Sequence, residues 1–374
     1  MFIYSIQECE MHSFDLYGIL IPNEVPMNNE KYIAHTLVEY YQHHRRDLPW
    51  RTTKDPYKIW VSEIMLQQTR VEAVKGYYAR FLKELPTLTA LATVEEDYLM
   101  KLWEGLGYYS RVRNMRKAAI QVQEKWNGEM PKSSTDLLTL PGIGKYTSAA
   151  IASICYNEPI AALDGNGLRV FARLYGIEEN VLDPKVENMI REKMQRCVDY
   201  TVAADLNQAV MDLASSICTP KASAKCEQCP LASICKAYQD GMVERLPVRL
   251  TKSSKKSESY TVLVFRRDHL ILLEKRSDKG LLASLYGLPM IEGELSKEEL
   301  HTYLQNDTCK IQEIGNFQHI FTHKIWNMKA YLIDDYEVPV EDSIWAKEEE
   351  VMYLYALPTA FTKIVKEIYT QRER

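Results

Sequence analysis

The chain changes its periodicity once, and that change limits the folds open to it. From Asn28 to about Ala237 apolar residues return every three or four positions, as in Leu37, Tyr40 and Tyr41 and in Val71, Val74, Tyr78, Phe81 and Leu82, the spacing of helices that bury one face. The breaks carry proline or glycine, at Leu85-Pro86, Gly105 to Gly107, Met130-Pro131, Pro141 to Gly144 and Asp164 to Gly167. Leu250–Ser259 (LTKSSKKSES) is then polar, basic and serine-rich, the composition of a linker. Beyond it the pattern predicts strands at Tyr260–Phe265 and Leu270–Glu274, a helix at Lys297–Leu304, strands at Phe317–Phe321 and Met328–Ile333, and a closing helix at Thr359–Ile368. A chain of 374 residues exceeds what one core usually supports. The expectation is a multidomain protein, an all-α unit followed by an α+β unit.

The formal net charge of −5 excludes a protein that coats nucleic acid nonspecifically, but leaves local basic surfaces open. Arg111, Arg113, Arg116 and Lys117 form one such group, and Lys221, Lys225 and Lys236 another. No apolar run approaches the ~20 residues that span a bilayer. The first residues lack the layout of a signal peptide, and 1–27 reads as an N-terminal tail or a start-site extension. An intracellular, reducing compartment without membrane attachment is expected, where clustered cysteines favour metal over disulfides. Cys9, Cys155, Cys197 and Cys309 are scattered; Cys218, Cys226, Cys229 and Cys235 are not.

Ser134–Leu140 reads as a short helix, Pro141-Gly142-Ile143-Gly144 as a tight turn and Tyr146–Cys155 as a second helix. Gly142 and Gly144 let a ligand approach the backbone, amide N–H groups face outward at a helix N-terminus, and Lys145 adds charge; together these suit a phosphate. Taken alone, such a turn more often serves plain helix packing. Asp164 follows at the start of another helix, in Leu163-Asp164-Gly165-Asn166, where it could simply be an N-cap. Together, over LPGIGKYTSAAIASICYNEPIAALDGNGLRVFARLYG, the segment resembles the helix–hairpin–helix DNA glycosylases.

The four clustered cysteines lie in a segment too poor in large apolar residues to form a core, which argues for an inorganic centre. Their C-x7-C-x2-C-x5-C spacing resembles the C-x6-C-x2-C-x5-C loop that carries a [4Fe-4S] cluster after the same glycosylase fold, with one extra residue in the first gap. Zinc, which usually takes two CxxC-like knuckles, stays as the alternative. The resemblance implies a structural cluster that presents Lys221 and Lys225 to phosphates, held by all four thiolates.

Trp60–Thr69 (WVSEIMLQQT) begins as an amphipathic helix with Trp60, Ile64 and Leu66 apolar and Gln67 four residues after Glu63 on the same face. A carboxylate half-buried there would have its pKa raised and could donate a proton; a solvent-facing charge fits the pattern equally. Leu48-Pro49-Trp50-Arg51, the WVSEIMLQQTRVE run and Gly105-Leu106-Gly107-Tyr108-Tyr109-Ser110-Arg111 resemble the adenine DNA glycosylase (MutY) family in order and spacing, from about Tyr32 to Ala237. The resemblance implies that Glu63 protonates the adenine base, that Asp164 stabilises or captures the sugar cation, that Tyr146 supports the transition state and that Asn166 orients Asp164. It implies that Gln68 and Tyr108 fill the gap left by a flipped base and that Arg51 and Gln208 touch that base, with Trp50 and Leu66 in the same DNA-facing group. Tyr108 as an ordinary core aromatic is the competing reading. Endonuclease III-like enzymes, which act on oxidised pyrimidines, carry a lysine where this chain has Tyr146; Lys145 is one position early, about 100° away around a helix. A hydrolase without strand cutting is therefore expected. Gly167 departs from the β-branched residue that the family usually places after Asp-Gly-Asn, and a glycine in a helix interior costs about 0.5–1 kcal/mol relative to alanine.

The C-terminal unit, with Leu272-Leu273-Glu274-Lys275-Arg276 and Leu285-Tyr286-Gly287-Leu288-Pro289, resembles a Nudix hydrolase domain. The stretch after it, MIEGELSKEELHTYL, lacks the run of glutamates that would hold Mg²⁺, so no pyrophosphatase activity is expected. Phe321-Thr322-His323 resembles the Phe-Ser-His loop with which the family inspects 8-oxoguanine; alone, His323 could as well be a buried structural histidine. The organisation expected is a tail at 1–27, a helical catalytic domain at 28–217, a cluster loop at 218–245, a linker at 246–259 and a lesion-recognition domain at 260–374. The partner is double-stranded DNA with A:8-oxoguanine or A:G mispairs, bound by a monomer in the cytoplasm at a nucleoid of bacterial type. A catalytically silent DNA-binding module stands as a third possibility.

Overall fold

The structure, a computed structural model, describes residues 29–220, 223–250, 255–334, 336 and 343–372. The expected tail, Cys9, Lys221 and residues 251–254 of the expected linker lie outside the described residues. In chain order the helices are α1 (Asn29–His44), α2 (Pro56–Leu66), α3 (Val71–Glu84), α4 (Leu88–Thr93), α5 (Glu96–Leu102), α6 (Ser110–Trp126), α7 (Ser134–Leu137), α8 (Lys145–Tyr156), α9 (Gly165–Tyr175), α10 (Pro184–Val198), α11 (Ala203–Ser216) and α12 (Lys236–Gln239). Strands follow: β1 (Lys256–Arg267), β2 (Leu270–Lys275), β3 (Tyr286–Gly287) and β4 (Met290–Glu292), then α13 (Lys297–Leu304), β5 (Lys310–Ile320), β6 (Lys324–Asp334), β7 (Ser343–Lys347), α14 (Glu348–Val351) and α15 (Thr359–Arg372). Among the described residues no helix is long and apolar enough to cross a membrane.

The chain forms two compact units, with one division at Val248/Arg249, beside the expected break near residue 250, and two more inside the helical segment. One takes the chain up to Arg46 and Pro159–Val248; the other takes Asp47–Glu158 and the chain from Arg249 onward. In the first unit, Ile33, Leu37 and Tyr41 of α1 meet Phe171 and Leu174 of α9, Ile190 and Met194 of α10, and Leu206, Val210 and Leu213 of α11 in one core. The three- and four-residue spacing of the apolar positions turns one face of each helix inward. At its edge Arg46 Nε donates to Asp212 Oδ1 at 2.8 Å, so a carboxylate only 1% exposed keeps a charged partner, as burial demands.

In the second unit α2 packs on α3 and α8, α7 on α8, and α4 and α5 on α6. Asp55 caps α2, accepting from Tyr57 N–H at 2.9 Å, with Pro56 as first helical residue; both are strong start signals. The helix expected at Ser134–Leu140 ends at Leu137 and gives way to turns. The C-terminal sheet is mixed, in the order β3-β2-β1-β6-β5, with β4 on β1 and β7 on β2. β1 and β6 run parallel from Lys256 opposite Lys324 to Arg266 opposite Asp334. Alternation along β1 sends Val262 and Val264 to one face, with Phe361, Ile364, Val365 and Ile368 of α15. Leu263 and Phe265 go to the other, with Leu300 and Leu304 of α13. Lys256–Ser259, expected as linker, is instead the first third of β1. Its side chains are mostly exposed, so a strand held by backbone pairing looks in sequence like a polar connector. α13 begins with a capping box in which the Ser296 and Glu299 side chains satisfy each other's backbone N–H.

Candidate active site

Asp164 is the N-cap of α9, and its carboxylate is held on both oxygens. Oδ1 accepts from the backbone N–H of Asn166 and of Gly167, each at 2.8 Å, and Oδ2 accepts from Asn166 Nδ2 at 2.8 Å. Burial pushes its pKa up from the usual aspartate value, and those three donors pull it back. Asn166 is fixed in turn: Arg169 donates to Asn166 Oδ1 at 3.2 Å, and to the carbonyls of Ala214 and Cys218 at 2.9 and 2.8 Å. The capping and orienting readings of Asp164 and Asn166 therefore coincide in one network. Gly167 occupies the first turn of α9, where its N–H serves Asp164; a Cβ there would meet Leu163 Cδ1 at 2.8 Å, the movable end of a side chain. Gln208 is half-buried on α11, with Nε2 donating to Ala204 O at 3.1 Å. Because the Asn166 amide favours the charged form of Asp164, Asn166→Ala raises the Asp164 pKa further. Activity that needs the carboxylate is then lost at a higher pH on acidification. A pH profile of single-turnover excision checks this, and an unmoved acid limb contradicts it.

The loop after α11 carries the four cysteines against the same core. Arg173, 2% exposed, donates to Cys218 Sγ at 3.4 Å and to the carbonyls of Thr219 and Leu246. Burial pushes the Cys229 thiol up to about 12, and the charges of Cys218, Cys235 and Cys226 push the same way. Burial and neighbouring cysteines likewise raise Cys226 and Cys235. Backbone N–H groups of Leu231 serve Cys229, and those of Tyr238 and Ala237 serve Cys235. Among the described residues no three His, Cys, Asp or Glu side chains are gathered as one metal ion needs. Lys225 and Lys236 are exposed.

In the second unit α2 is buried nearly all round, through Tyr57, Ile59, Trp60, Val61, Ile64 and Met65; the amphipathic helix expected there is a core helix. Glu63 is half-buried on it, and its charge, after burial and Asp55, helps push the Cys155 thiol of α8 up to about 12. Gln67 is the C-cap of the helix, at φ −59°, ψ 112°, where the backbone leaves the helix toward Gln68. α8 brings Tyr146, half-buried, into its first turn beside exposed Lys145. Gly142 and Gly144 are exposed ahead of it. Gly142 has φ +79° and a Cβ there would lie 2.7 Å from Asn114 Cβ. Gly142→Ala is therefore expected to cost at least about 2 kcal/mol from left-handed strain and the clash, measurable by denaturant melts; an unchanged midpoint contradicts this geometry. Gly144 has open space around it, so its lack of a side chain leaves the amides of α8 accessible.

Gln68 and Tyr108, the expected wedge residues, both adopt left-handed backbone, at φ 60° and 46°. Non-glycine residues held there are uncommon and cluster at functional sites. Tyr108 is 47% exposed, which removes the core-aromatic reading. Arg111 ties the two loops, a role the sequence did not reveal. Its guanidinium donates to Ile64 O at 2.6 Å and Gln67 O at 2.7 Å on one side, and to Leu106 O at 2.9 Å and Gly107 O at 3.2 Å on the other. Arg113 donates to Ala283 O at 2.6 Å and Arg116 to Val94 O at 2.9 Å. The expected basic surface at Arg111–Lys117 is thus corrected: all three guanidiniums bind carbonyls, and Lys117 is the exposed member. Arg51 is half-buried, while Trp50 is 5% exposed and packs edge-on to Tyr78. Leu66 closes α2, half-buried.

Phe321, Thr322 and His323 form the turn between β5 and β6, with Phe321 N–H donating to Lys324 O. Thr322 and His323 are exposed, so the buried-histidine reading falls. Phe321 packs on Trp326 and His319, with centroids 4.8 and 4.4 Å away. Thr322 Oγ1 and the Tyr108 hydroxyl share a hydrogen bond of 2.6 Å. These residues line a cavity of about 650 Å³ with Arg113, Leu282 and Thr359. Glu258 braces the turn, accepting from Lys324 Nζ at 2.8 Å, Tyr260 OH at 3.1 Å and Trp326 Nε1 at 3.3 Å. The Lys324 ammonium holds its carboxyl down to about 2.

Residues 61–196 match the HhH-GPD superfamily of base excision DNA repair proteins, and residues 260–367 match the NUDIX domain. An adenine DNA glycosylase of Buchnera aphidicola subsp. Baizongia pistaciae is 33% identical over 342 residues, covering 89% of this chain and 95% of its own. One from Mus musculus is 32% identical over 395 residues, covering 88% and 76%. The solved structure of a thermostable thymine-DNA glycosylase superposes with a TM-score of 0.51 at 28% identity, covering 57% of this chain and 98% of its own. Relatives at 32–33% identity that cover nearly nine-tenths of this chain show its family: the chain belongs to the adenine DNA glycosylase family.

Proposed function

We propose that the protein removes adenine mispaired with 8-oxoguanine or guanine from duplex DNA, as a step of base excision repair, and does not cut the strand. The observation that carries the reading is Asp164, a half-buried carboxylate held by three N–H donors. Breaking an N-glycosidic bond requires a proton for the departing base and negative charge beside the sugar cation. Glu63 gives its proton to N7 of adenine, and the C1′–N9 electron pair leaves with the base. Asp164 stabilises the cation or captures C1′ covalently, and water ends the cycle at C1′, giving free adenine and an abasic site. Asn166 orients Asp164 and Tyr146 supports the transition state. The base must leave the stack to be reached; Gln68 and Tyr108 fill the gap, Arg51 and Gln208 touch the extruded adenine, with Trp50 and Leu66 in the same DNA-facing group, and Gly142, Gly144 and Lys145 receive a phosphate. Phe321, Thr322 and His323 read the opposite base.

Cys218, Cys226, Cys229 and Cys235 would hold a [4Fe-4S] cluster, and their donor set fits one: four sulfurs, an arginine and backbone N–H groups that favour anionic sulfur. Bound, the cluster supplies a structural anchor. The purified protein is expected to be brown with about four irons per chain; a colourless, zinc-loaded native protein contradicts this. The reading places a monomer in a reducing, DNA-containing compartment, the cytoplasm of a bacterial-type cell. A glycosylase assay on duplexes with A:8-oxoguanine, A:G, T:G and thymine glycol tests it. Excision from A:8-oxoguanine and A:G alone is expected. Cutting only at thymine glycol would instead favour the pyrimidine enzyme, and binding without excision a silent module.

A further inference from the structure

α5 presents one polar face. Asp97, Lys101 and Glu104, the last just past the helix end, follow at i, i+4 and i+7, while Leu99, Met100 and Leu102 are buried. All three polar residues engage the C-terminal domain. Lys275 Nζ donates to Asp97 Oδ1 at 2.6 Å and the Tyr286 hydroxyl donates to Asp97 Oδ2 at 3.0 Å. Lys101 Nζ donates to the carbonyls of Met352 and Tyr355 at 2.7 and 3.0 Å and to Glu104 Oε2 at 2.6 Å. Glu104 Oε1 accepts from Leu357 N–H at 3.1 Å. Every proton of the Lys101 ammonium thus has an acceptor, and the Lys101–Glu104 pair, 19% and 27% exposed, grips backbone groups. Three residues on from Glu104, Gly107 leads into Tyr108, whose hydroxyl meets Thr322.

We propose that Asp97, Lys101 and Glu104 form a docking strip that fixes Tyr108 against the Phe321–His323 turn and thereby sets the preference for 8-oxoguanine over guanine opposite adenine. The inference rests on the proposed adenine excision with that turn as lesion reader. The strip touches no substrate; its residues are positioning residues. If it only stabilised the fold, its loss would slow excision equally on both mispairs. If it sets the register of the turn on Tyr108, its loss lowers the rate only where the turn has an 8-oxo group to read.

Single-turnover excision on A:8-oxoguanine and A:G duplexes, with Lys101→Met in the full chain, separates the two. A charged hydrogen-bonded contact is worth about tenfold or more, so the A:8-oxoguanine rate is expected to fall about tenfold while the A:G rate stays within about twofold. Equal losses on both duplexes, or an unchanged ratio, overturn the strip. Should Lys101→Met fail to fold, Asp97→Lys and Lys275→Asp decide: each alone is expected to lower the preference and the double exchange to restore it, and a double variant no better than the singles overturns the proposal. A parent enzyme that releases no adenine overturns the underlying reading as well, whereas an active, selective parent with selective variants overturns the strip alone.

Discussion

Asp164→Asn is expected to lower single-turnover adenine release by at least about 10³-fold, some 4 kcal/mol of transition-state stabilisation, while mismatched duplex still binds. The substitution keeps an oxygen for the N–H groups of Asn166 and Gly167, and asparagine is as good an N-cap as aspartate. It removes the negative charge that the proposed reaction sets against the sugar cation. Its amide also meets Asn166 Nδ2, donor against donor, which costs about 1 kcal/mol. Stability should hardly move, because burial raises the Asp164 pKa. A carboxyl whose folded pKa lies above its unfolded one contributes stability while protonated and loses that contribution as pH rises through the folded value. At neutral pH the wild-type protein therefore carries a cost that asparagine avoids. Excision rates, gel-shift affinities and melting curves together check the expectation. An unfolded variant would show instead that Asp164 is there for the helix.

Glu63→Gln should be comparably severe by a different route. Glutamine keeps the volume and polarity of the side chain at a half-buried position of α2, so packing around Trp60, Ile64 and Met65 survives. What goes is the transferable proton, and general acid catalysis contributes typically 10²–10⁴-fold. A loss of about 10³-fold is expected, with affinity for an A:8-oxoguanine duplex unchanged within about threefold, as for a substitution that leaves packing intact. Near-normal excision by Glu63→Gln would return Glu63 to the role of a solvated charge.

The sequence displayed the parts of this site that are local. A cap is a residue type at a fixed offset from a helix, so Asp164 with Asn166 could be read directly. So could the turn at Gly142, because a left-handed residue against Asn114 leaves glycine as the unstrained choice. The expected bounds of helix α13 agree with the structure, where Ser296 and Glu299 close a capping box at its start. The bounds of β1 were missed because its first residues, Lys256–Ser259, are polar and pair only through the backbone with β6. β7 escaped for a related reason: Ala346 is its one buried residue, too little alternation to register. Long-range polar contacts were least legible. Arg111 reads in sequence only as part of a basic group, and nothing near it says that its acceptors are the carbonyls of Ile64 and Gln67. Glu258 lies in a stretch expected to be linker, yet it braces the Phe321–His323 turn through Lys324, 66 residues away. Side-chain donors that find backbone acceptors leave no pattern, since every residue offers a carbonyl.

The most direct test of the account is product analysis on one duplex, A opposite 8-oxoguanine, in the presence of borohydride. The account predicts release of free adenine, an abasic strand that breaks only on later alkali treatment, and no strong covalent adduct through Lys145. Efficient strand cutting with a trapped Lys145–DNA adduct, or no release of adenine at all, would contradict it.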